Sequence, residues 1–294
     1  MNRIVILTLT YNRPENLKQL FETLQKQTDK DFIWMIVDDG SPQDLLPIVS
    51  EMKGKADYQI DYYRKENGGK SSAINYAFDK LSQQDFALII DDDEYLNPNA
   101  IDVVRASVDK YSESNVGEIN FSRYDMNGNV LAHPLFSEDF TMSAQEHLKK
   151  GYFSGGYVGY FMSKVGNKRF PLYKGEKYIA PSVLMMIVGQ ISDIVWSHHA
   201  IGYTEFLEGG LTMRGRKLRL VSPKSMATHA LLILSGDCGL KNRIKYSTLY
   251  YAYLKYNGIK DFEIPECKKR IFLSAITGLT GWCLSQYWKS KFKE

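Results

Sequence analysis

Across residues 3–90, four short apolar runs alternate with three amphipathic stretches, an order that few folds accept. Residues 3–10, 32–38, 58–63 and 86–90 read as strands. Residues 14–27, 42–52 and 70–81 read as helices, the second opened by Ser41 at a capping position. Leu17, Leu20, Phe21 and Leu24 share one helical face, as do Ala73, Ile74, Ala77 and Phe78. The run 86–90 is apolar throughout, which suits a central parallel strand covered on both faces. Strand and helix in alternation with short connections build βαβ units, so the fold class is α/β with a doubly wound, mostly parallel sheet. Ligands in such sheets gather at the carboxyl ends of the strands, and function is to be sought there.

Three strand ends carry chemistry. After the fourth run come Asp91, Asp92, Asp93 and Glu94. If the strand stays extended, Asp91 and Asp93 point to one side and Asp92 to the other. Adjacent carboxylates repel by about 1 kcal/mol in water and several-fold more in a protein, so a bound cation is implied. Hard oxygen ligands select Mg²⁺ or Mn²⁺, which bridge to substrate phosphates; an acidic turn before the next helix is the plainer alternative. The second run ends in Asp38, Asp39, Gly40 and Ser41, where one carboxylate could accept a nucleobase N–H. The third leads into Asn67-Gly68-Gly69-Lys70-Ser71-Ser72, whose glycines would let backbone amides approach a phosphate at a helix N-terminus. A turn that needs glycine for its own geometry explains them equally well. The spacing is not that of a Walker loop.

With Thr8-Leu9-Thr10-Tyr11-Asn12-Arg13 after the first strand, these motifs resemble family 2 glycosyltransferases in order and spacing over residues 3–98. The resemblance implies a GT-A fold, a nucleotide-diphospho-sugar donor and a metal-dependent, inverting transfer. By that likeness Thr10, Tyr11 and Asp39 belong to the base and ribose pocket, and Asn12 and Arg13 also bind the nucleotide. Gly69, Lys70 and Asn75 lie near the diphosphate with Asp91 and Asp92, and Asp93 is the metal ligand, for Mn²⁺ or Mg²⁺. The second half is similar to members that build bacterial surface polysaccharides, through Phe170-Pro171, Gly175-Glu176 and Glu208-Gly209-Gly210-Leu211-Thr212. Many relatives carry Glu-Asp after a glycine, with the Asp as catalytic base; here Lys177 follows Glu176. Glu176 is the first candidate for that base, and a helix-capping carboxylate is its alternative role. One imidazole of His198-His199 would face the crevice as a candidate metal ligand, whereas His133 and His229 read as surface or core residues. Tyr152, Phe153, Tyr157, Tyr160 and Phe161 read as core, with sugar stacking as the alternative.

The chain of 294 residues suits one large domain or two small ones. The expected division is a nucleotide-sugar-binding half at 1–112, an acceptor-binding half at 113–213 and a basic, mainly helical region at 214–294. From Arg214 onward there are 16 Lys/Arg against 5 Asp/Glu, while the rest of the chain is acidic. Such a surface suits phosphate-bearing lipid head-groups rather than, in this family, nucleic acid. Residues 271–288 are uncharged but too polar to span a membrane. Their stripe of Phe272, Ile276, Leu279 and Cys283 either packs on the body or lies against the cytoplasmic face of a membrane. Three cysteines without CxxC spacing exclude a disulfide framework, and no signal peptide pattern opens the chain, so a cytoplasmic enzyme is expected. The expected partners are the nucleotide-sugar donor, a glycan or polyprenyl-linked acceptor and an anionic membrane surface. A sugar nucleotidyltransferase and a catalytically silent donor-binding subunit are the competing readings.

Overall fold

The computed structural model describes residues 2–131, 137–150, 156–204, 211–260 and 274–292. It divides into two compact units. The first gathers Met1–Ser143, Tyr152–Lys168 and Ile191–Leu207; the second gathers Ala144–Gly151, Arg169–Gln190 and Glu208–Glu294. The chain therefore crosses between units several times, whereas the sequence reading placed its boundaries at 112 and 213.

The first unit runs β1 (Arg3–Thr10), α1 (Pro14–Gln25), β2 (Phe32–Asp38), α2 (Leu46–Lys55), β3 (Gln59–Arg64), α3 (Lys70–Phe78) and β4 (Asp85–Ile89). It continues through β5 (Glu94–Leu96), α4 (Ala100–Tyr111), β6 (Val116–Tyr124), β7 (Val130–Leu131) and β8 (Phe140–Met142). After α5 (Ala144–Lys150), which belongs to the second unit, come β9 (Tyr157–Phe161) and α6 (Met162–Val165). Following α7 (Ser182–Val188), also of the second unit, β10 (Asp193–Thr204) completes a sheet in the order β3-β2-β1-β4-β9-β6-β10-β5, with β7 on β6 and β8 on β10. The four strands β3 to β4 are mutually parallel, and β9 enters antiparallel between β4 and β6.

Residue alternation explains the layers. Ile4 and Ile6 of β1 turn toward Leu17, Leu20 and Leu24 of α1 and share a core with Ile101, Val104 and Val108 of α4. Both faces of β4 are covered, as its unbroken apolar run requires, and Phe86, Ala87 and Leu88 have no exposed surface. Gly159 on β9 is forced by this packing, since a Cβ there would lie 2.2 Å from the Phe86 ring.

Two helix expectations need correction. The helix expected from residue 42 starts at Leu46, with Pro47 in its first turn, because Ser41 is engaged elsewhere. Residues 177–190 also read as a helix in the sequence, but the helix is confined to Ser182–Val188, since Pro181 restricts the residue before it to extended backbone.

The second unit is completed by α8 (Leu211–Leu220), α9 (Pro223–Ser235), α10 (Gly239–Tyr256) and α11 (Ser274–Phe292). Helix α9 is buried nearly all round, with Ala227, Ala230, Leu231 and Leu234 packed against Tyr250 and Leu254 of α10. Helices α10 and α11 lie side by side in the same direction. Thr248 and Thr280 are joined through their hydroxyls at 3.1 Å, and the Trp288 ring sits 5.0 Å from that of Tyr253. The expected stripe does not pack: Ile276, Leu279 and Cys283 are exposed, and the opposite face of α11 meets α10. Phe272 lies outside the described residues, as do His133, Tyr152, Phe153 and the 208–210 segment.

Candidate active site

The carboxyl ends of β1, β2 and β4 and the start of α3 converge through side chains. Past β1 the chain turns at Asn12, whose φ of +55° is a left-handed conformation that asparagine tolerates. The Asn12 amide donates to Ser41 Oγ at 2.7 Å, and the Ser41 hydroxyl and amide both donate to Asp38 Oδ1, at 2.6 and 2.8 Å. Ser41 thus ties the β1 turn to the β2 turn instead of capping a helix. Asp38 is fully buried, and Tyr62 OH donates to its other oxygen at 3.0 Å.

Asp39 organises the glycine loop. Its Oδ1 accepts from the Gly68 amide at 3.0 Å and Lys65 Nζ at 2.8 Å; its Oδ2 accepts from the Gly69 amide at 2.7 Å. Gly69 adopts φ +87°, which requires glycine, and a Cβ on Gly40 would come within 2.7 Å of the Asn67 amide nitrogen. The amides expected to meet a phosphate at Gly68 and Gly69 are therefore taken up by Asp39. The first turn of α3, from Lys70, is left to present backbone amides that have no helical acceptor. Asn75 sits half-buried further along α3, and Tyr11 is half-exposed after β1.

The carboxylate cluster is a turn, since β4 ends at Ile89, and strand alternation does not govern it. Lys70 Nζ lies 2.5 and 2.7 Å from the two oxygens of Asp91. Thr10 Oγ1 donates to Asp92 Oδ2 at 2.8 Å, and Arg13 Nη1 reaches Asp92 Oδ1 at 2.9 Å and Asp93 Oδ2 at 3.3 Å. Behind them Glu94 pairs with Arg123 and accepts the Asp91 amide at 2.9 Å. Three cations thus face four carboxylates, and Asp93 is the least compensated.

Burial and charge act differently on each. Burial pushes the Asp92 carboxyl up to about 6, against the hydrogen bond from Thr10 and the Arg13 charge. Burial and then the Asp91 charge raise Asp93, and the same two causes raise Glu94. Burial works against Asp91 too, but the Lys70 ammonium outweighs it and holds that carboxyl below its usual range.

Glu176 lies in the second unit, where the structure assigns it the capping alternative. Its two oxygens accept the amides of Lys224 and Ser225 at 2.9 and 2.8 Å, at the start of α9. His198 donates its amide to Asp139 Oδ1 at 3.0 Å and sets Nδ1 2.7 Å from the same oxygen, while the His199 ring, tilted by 39°, has its centroid 3.8 Å away. His229 is buried and bonded to Ser182, as a core histidine.

Sequence reasoning missed Lys65, Arg123 and Glu118. Arg123 and Lys65 are charges at or just past strand ends, β6 and β3, a signal that could have flagged both. Glu118 is buried in the middle of β6, with Asn120 Nδ2 donating to Oε1 at 2.8 Å and Tyr160 opposite it on β9. Burial pushes its carboxyl up to about 7 despite hydrogen bonds from Asn120 and Tyr160.

A mostly parallel α/β sheet with a carboxylate turn, a glycine loop and two cations, one just before α1 and one opening α3, at the strands' carboxyl ends is the GT-A type of glycosyltransferase fold. Solved structures agree. TarS 1-349 from Staphylococcus aureus in complex with UDP-GlcNAc superposes with a TM-score of 0.63 at 19% identity, covering 86% of this chain and 72% of that one. A Pyrobaculum calidifontis mannosyltransferase in complex with GDP-Man and Mn²⁺ gives 0.59 at 12% identity, covering 100% and 88%. The model of glycosyl transferase family 2 matches residues 5–167, more than half of the chain, and the chain belongs to that family.

Among curated relatives, the S. aureus poly(ribitol-phosphate) β-N-acetylglucosaminyltransferase TarS is 26% identical over 140 residues, 47% of this chain and 24% of TarS. A Campylobacter jejuni GalNAc(5)-diNAcBac-PP-undecaprenol β-1,3-glucosyltransferase is 27% identical over 177 residues, 58% of this chain and 55% of that protein. The matched region is thus about a quarter of TarS and about half of the C. jejuni enzyme.

Proposed function

We propose that this chain is an inverting glycosyltransferase that moves a sugar from a UDP-sugar to a hydroxyl of a glycan or polyprenyl-linked acceptor in bacterial surface-polysaccharide synthesis. The observation that carries the reading is the meeting of Arg13 and Lys70 with Asp91, Asp92 and Asp93 at one sheet edge. The UDP-GlcNAc bound by TarS supports the donor class, and the undecaprenol-linked substrate in the name of the C. jejuni relative supports a lipid-linked acceptor.

In this reading Thr10, Tyr11 and Asn12 line the base and ribose end, with Asp39 holding the glycine loop in place. Lys70, the first turn of α3 and Asn75 receive the diphosphate. Among the described residues no three His, Cys, Asp or Glu side chains converge to hold a metal by themselves. A single under-compensated carboxylate still fits Mn²⁺ or Mg²⁺, which take one or two protein carboxylates and complete their shells with phosphate oxygens and water. Asp93 would hold the ion, which when bound stabilises the charge developing on the departing nucleoside diphosphate. Lys70 and Arg13 add fixed positive charge to the same end.

The test is a donor screen that reads nucleoside diphosphate release from UDP-, GDP-, CDP- and dTDP-sugars with a lipid-linked acceptor. Release from a UDP-sugar supports the reading; pyrophosphate release from a nucleoside triphosphate would replace it with sugar nucleotidyl transfer. A second reading, a donor-binding subunit without turnover, is favoured by the engagement of both Glu176 oxygens at α9. Donor binding with no release on any acceptor would establish it.

A further inference from the structure

Helix α11 is packed the reverse of a helix that faces water. Thr277, Gly281 and Ser285, four residues apart, form its buried face against α10. A Cβ on Gly281 would lie 2.6 Å from Tyr251 Cβ and 2.9 Å from the Thr248 carbonyl, so the two backbones are in close approach. Small residues at that spacing pack helices tightly without using large apolar side chains. Apart from Trp288, which is buried beside Tyr253 of α10, most of the large side chains point away: Ile276 is 62% exposed, Leu279 64%, Trp282 50% and Tyr287 53%. A water-facing amphipathic helix turns its apolar face inward.

We propose that this outward face of α11 docks on an anionic lipid membrane. Charge selects the occupant. Helices α10 and α11 carry Lys241, Arg243, Lys245, Lys255, Lys289 and Lys291 and neither holds an Asp or Glu. A second copy seated on the same face would oppose Lys289 and Lys291 to their own likeness, whereas an anionic leaflet attracts them and, at longer range, the cations of α10. The aromatic chemistry agrees, because the rings of Trp282 and Tyr287 suit the head-group level, where an apolar body meets a polar edge. No helix of the described residues is long and apolar enough to cross a membrane, so α11 lies along the surface rather than through it. The inference stands apart from the catalytic reading, since lipid binding needs neither donor nor acceptor.

The test is co-sedimentation of the full chain with phosphatidylcholine vesicles, with and without phosphatidylglycerol, at low and high salt. Binding is expected only with phosphatidylglycerol and is expected to weaken with salt. Leu279→Glu combined with Trp282→Ala removes exposed side chains, and Lys289→Glu combined with Lys291→Glu reverses two charges. Each pair is expected to weaken binding roughly tenfold or more while leaving the thermal melt in place. Tryptophan quenching by brominated lipid should accompany binding and disappear in the first variant. Absence of binding by the unmodified chain, or binding indifferent to both variants, overturns the proposal. So does a concentration-dependent dimer that the first variant dissolves without any vesicle binding, which would make this face a contact between copies.

Discussion

Lys70 donates from Nζ to both carboxylate oxygens of Asp91, at 2.5 and 2.7 Å, and so pins the first turn of α3 to the turn after β4. Each side chain keeps over a third of its surface open to solvent, 36% and 39%. The pair is accessible, and a diphosphate arriving at α3 would compete with Asp91 for the ammonium. Removing one charge-assisted contact costs about 1.5–3 kcal/mol, so Lys70→Ala is expected to weaken UDP binding roughly tenfold to a hundredfold. Titration calorimetry measures this, and unchanged affinity would place the diphosphate elsewhere.

Asp93 tests the metal. Its carboxyl is raised by burial and by the neighbouring Asp91, so replacing it with alanine removes repulsion rather than a needed partner. Asp93→Ala should melt no lower than the parent chain yet lose the Mn²⁺ dependence of UDP binding. If chelation leaves the parent's UDP affinity untouched, the assignment of a metal at Asp93 fails.

Glu176 holds the two amides that open α9, and its loss should be read first as a loss of stability. Losing a helix-capping side chain costs about 0.5–2 kcal/mol, and Glu176→Gln turns an amide group toward one of the two backbone donors. The expected outcome is a lower melting temperature with any fall in turnover proportionate to it. A fall in kcat of about a hundredfold or more at an unchanged melting temperature would instead restore Glu176 as the base.

Glu118 gives the fold a pH dependence. Its carboxyl titrates higher in the folded chain, at about 7, than the ordinary 4.5, so the folded state binds the extra proton and stability falls as pH rises between those values. At about 1.36 kcal/mol per pH unit the loss amounts to roughly 3 kcal/mol. Glu118→Gln should be more stable than the parent at pH 8 and close to it at pH 4, by urea denaturation at both. Parallel stability curves for the two proteins would show that Glu118 titrates alike in the folded and unfolded states.

Much of the parallel half was legible in the sequence because period-2 and period-3.6 patterns there have no competitor. Residues 3–10 and 32–38 match β1 and β2 end for end. The order of the remaining strands was not legible, since β9 and β10 find their places by long-range pairing that no local pattern records. At the site, the motifs named the strand ends but not their partners. Asp39 reads alike whether it faces a nucleobase or two glycine amides, and the contacts with Gly68 and Gly69 come only with the fold. The same holds for Ser41, whose neighbour is Asn12, 29 positions earlier. For α11, the apolar stripe was visible in the sequence. That it faces outward was not, because Thr277, Gly281 and Ser285 look like interruptions until α10 is set against them.

Strand β10 sets an order of events during synthesis. It lies between β6 and β5 and also carries β8, so three strands made earlier wait for residues 193–204 before their amides and carbonyls are matched. The family match stops at residue 167, short of that strand. On the ribosome the first unit therefore closes only after α5 and α7, which belong to the other unit, have already emerged. Until then β5 and β6 offer open edges to any neighbouring nascent chain, and a fragment ended at 167 would keep them open for good.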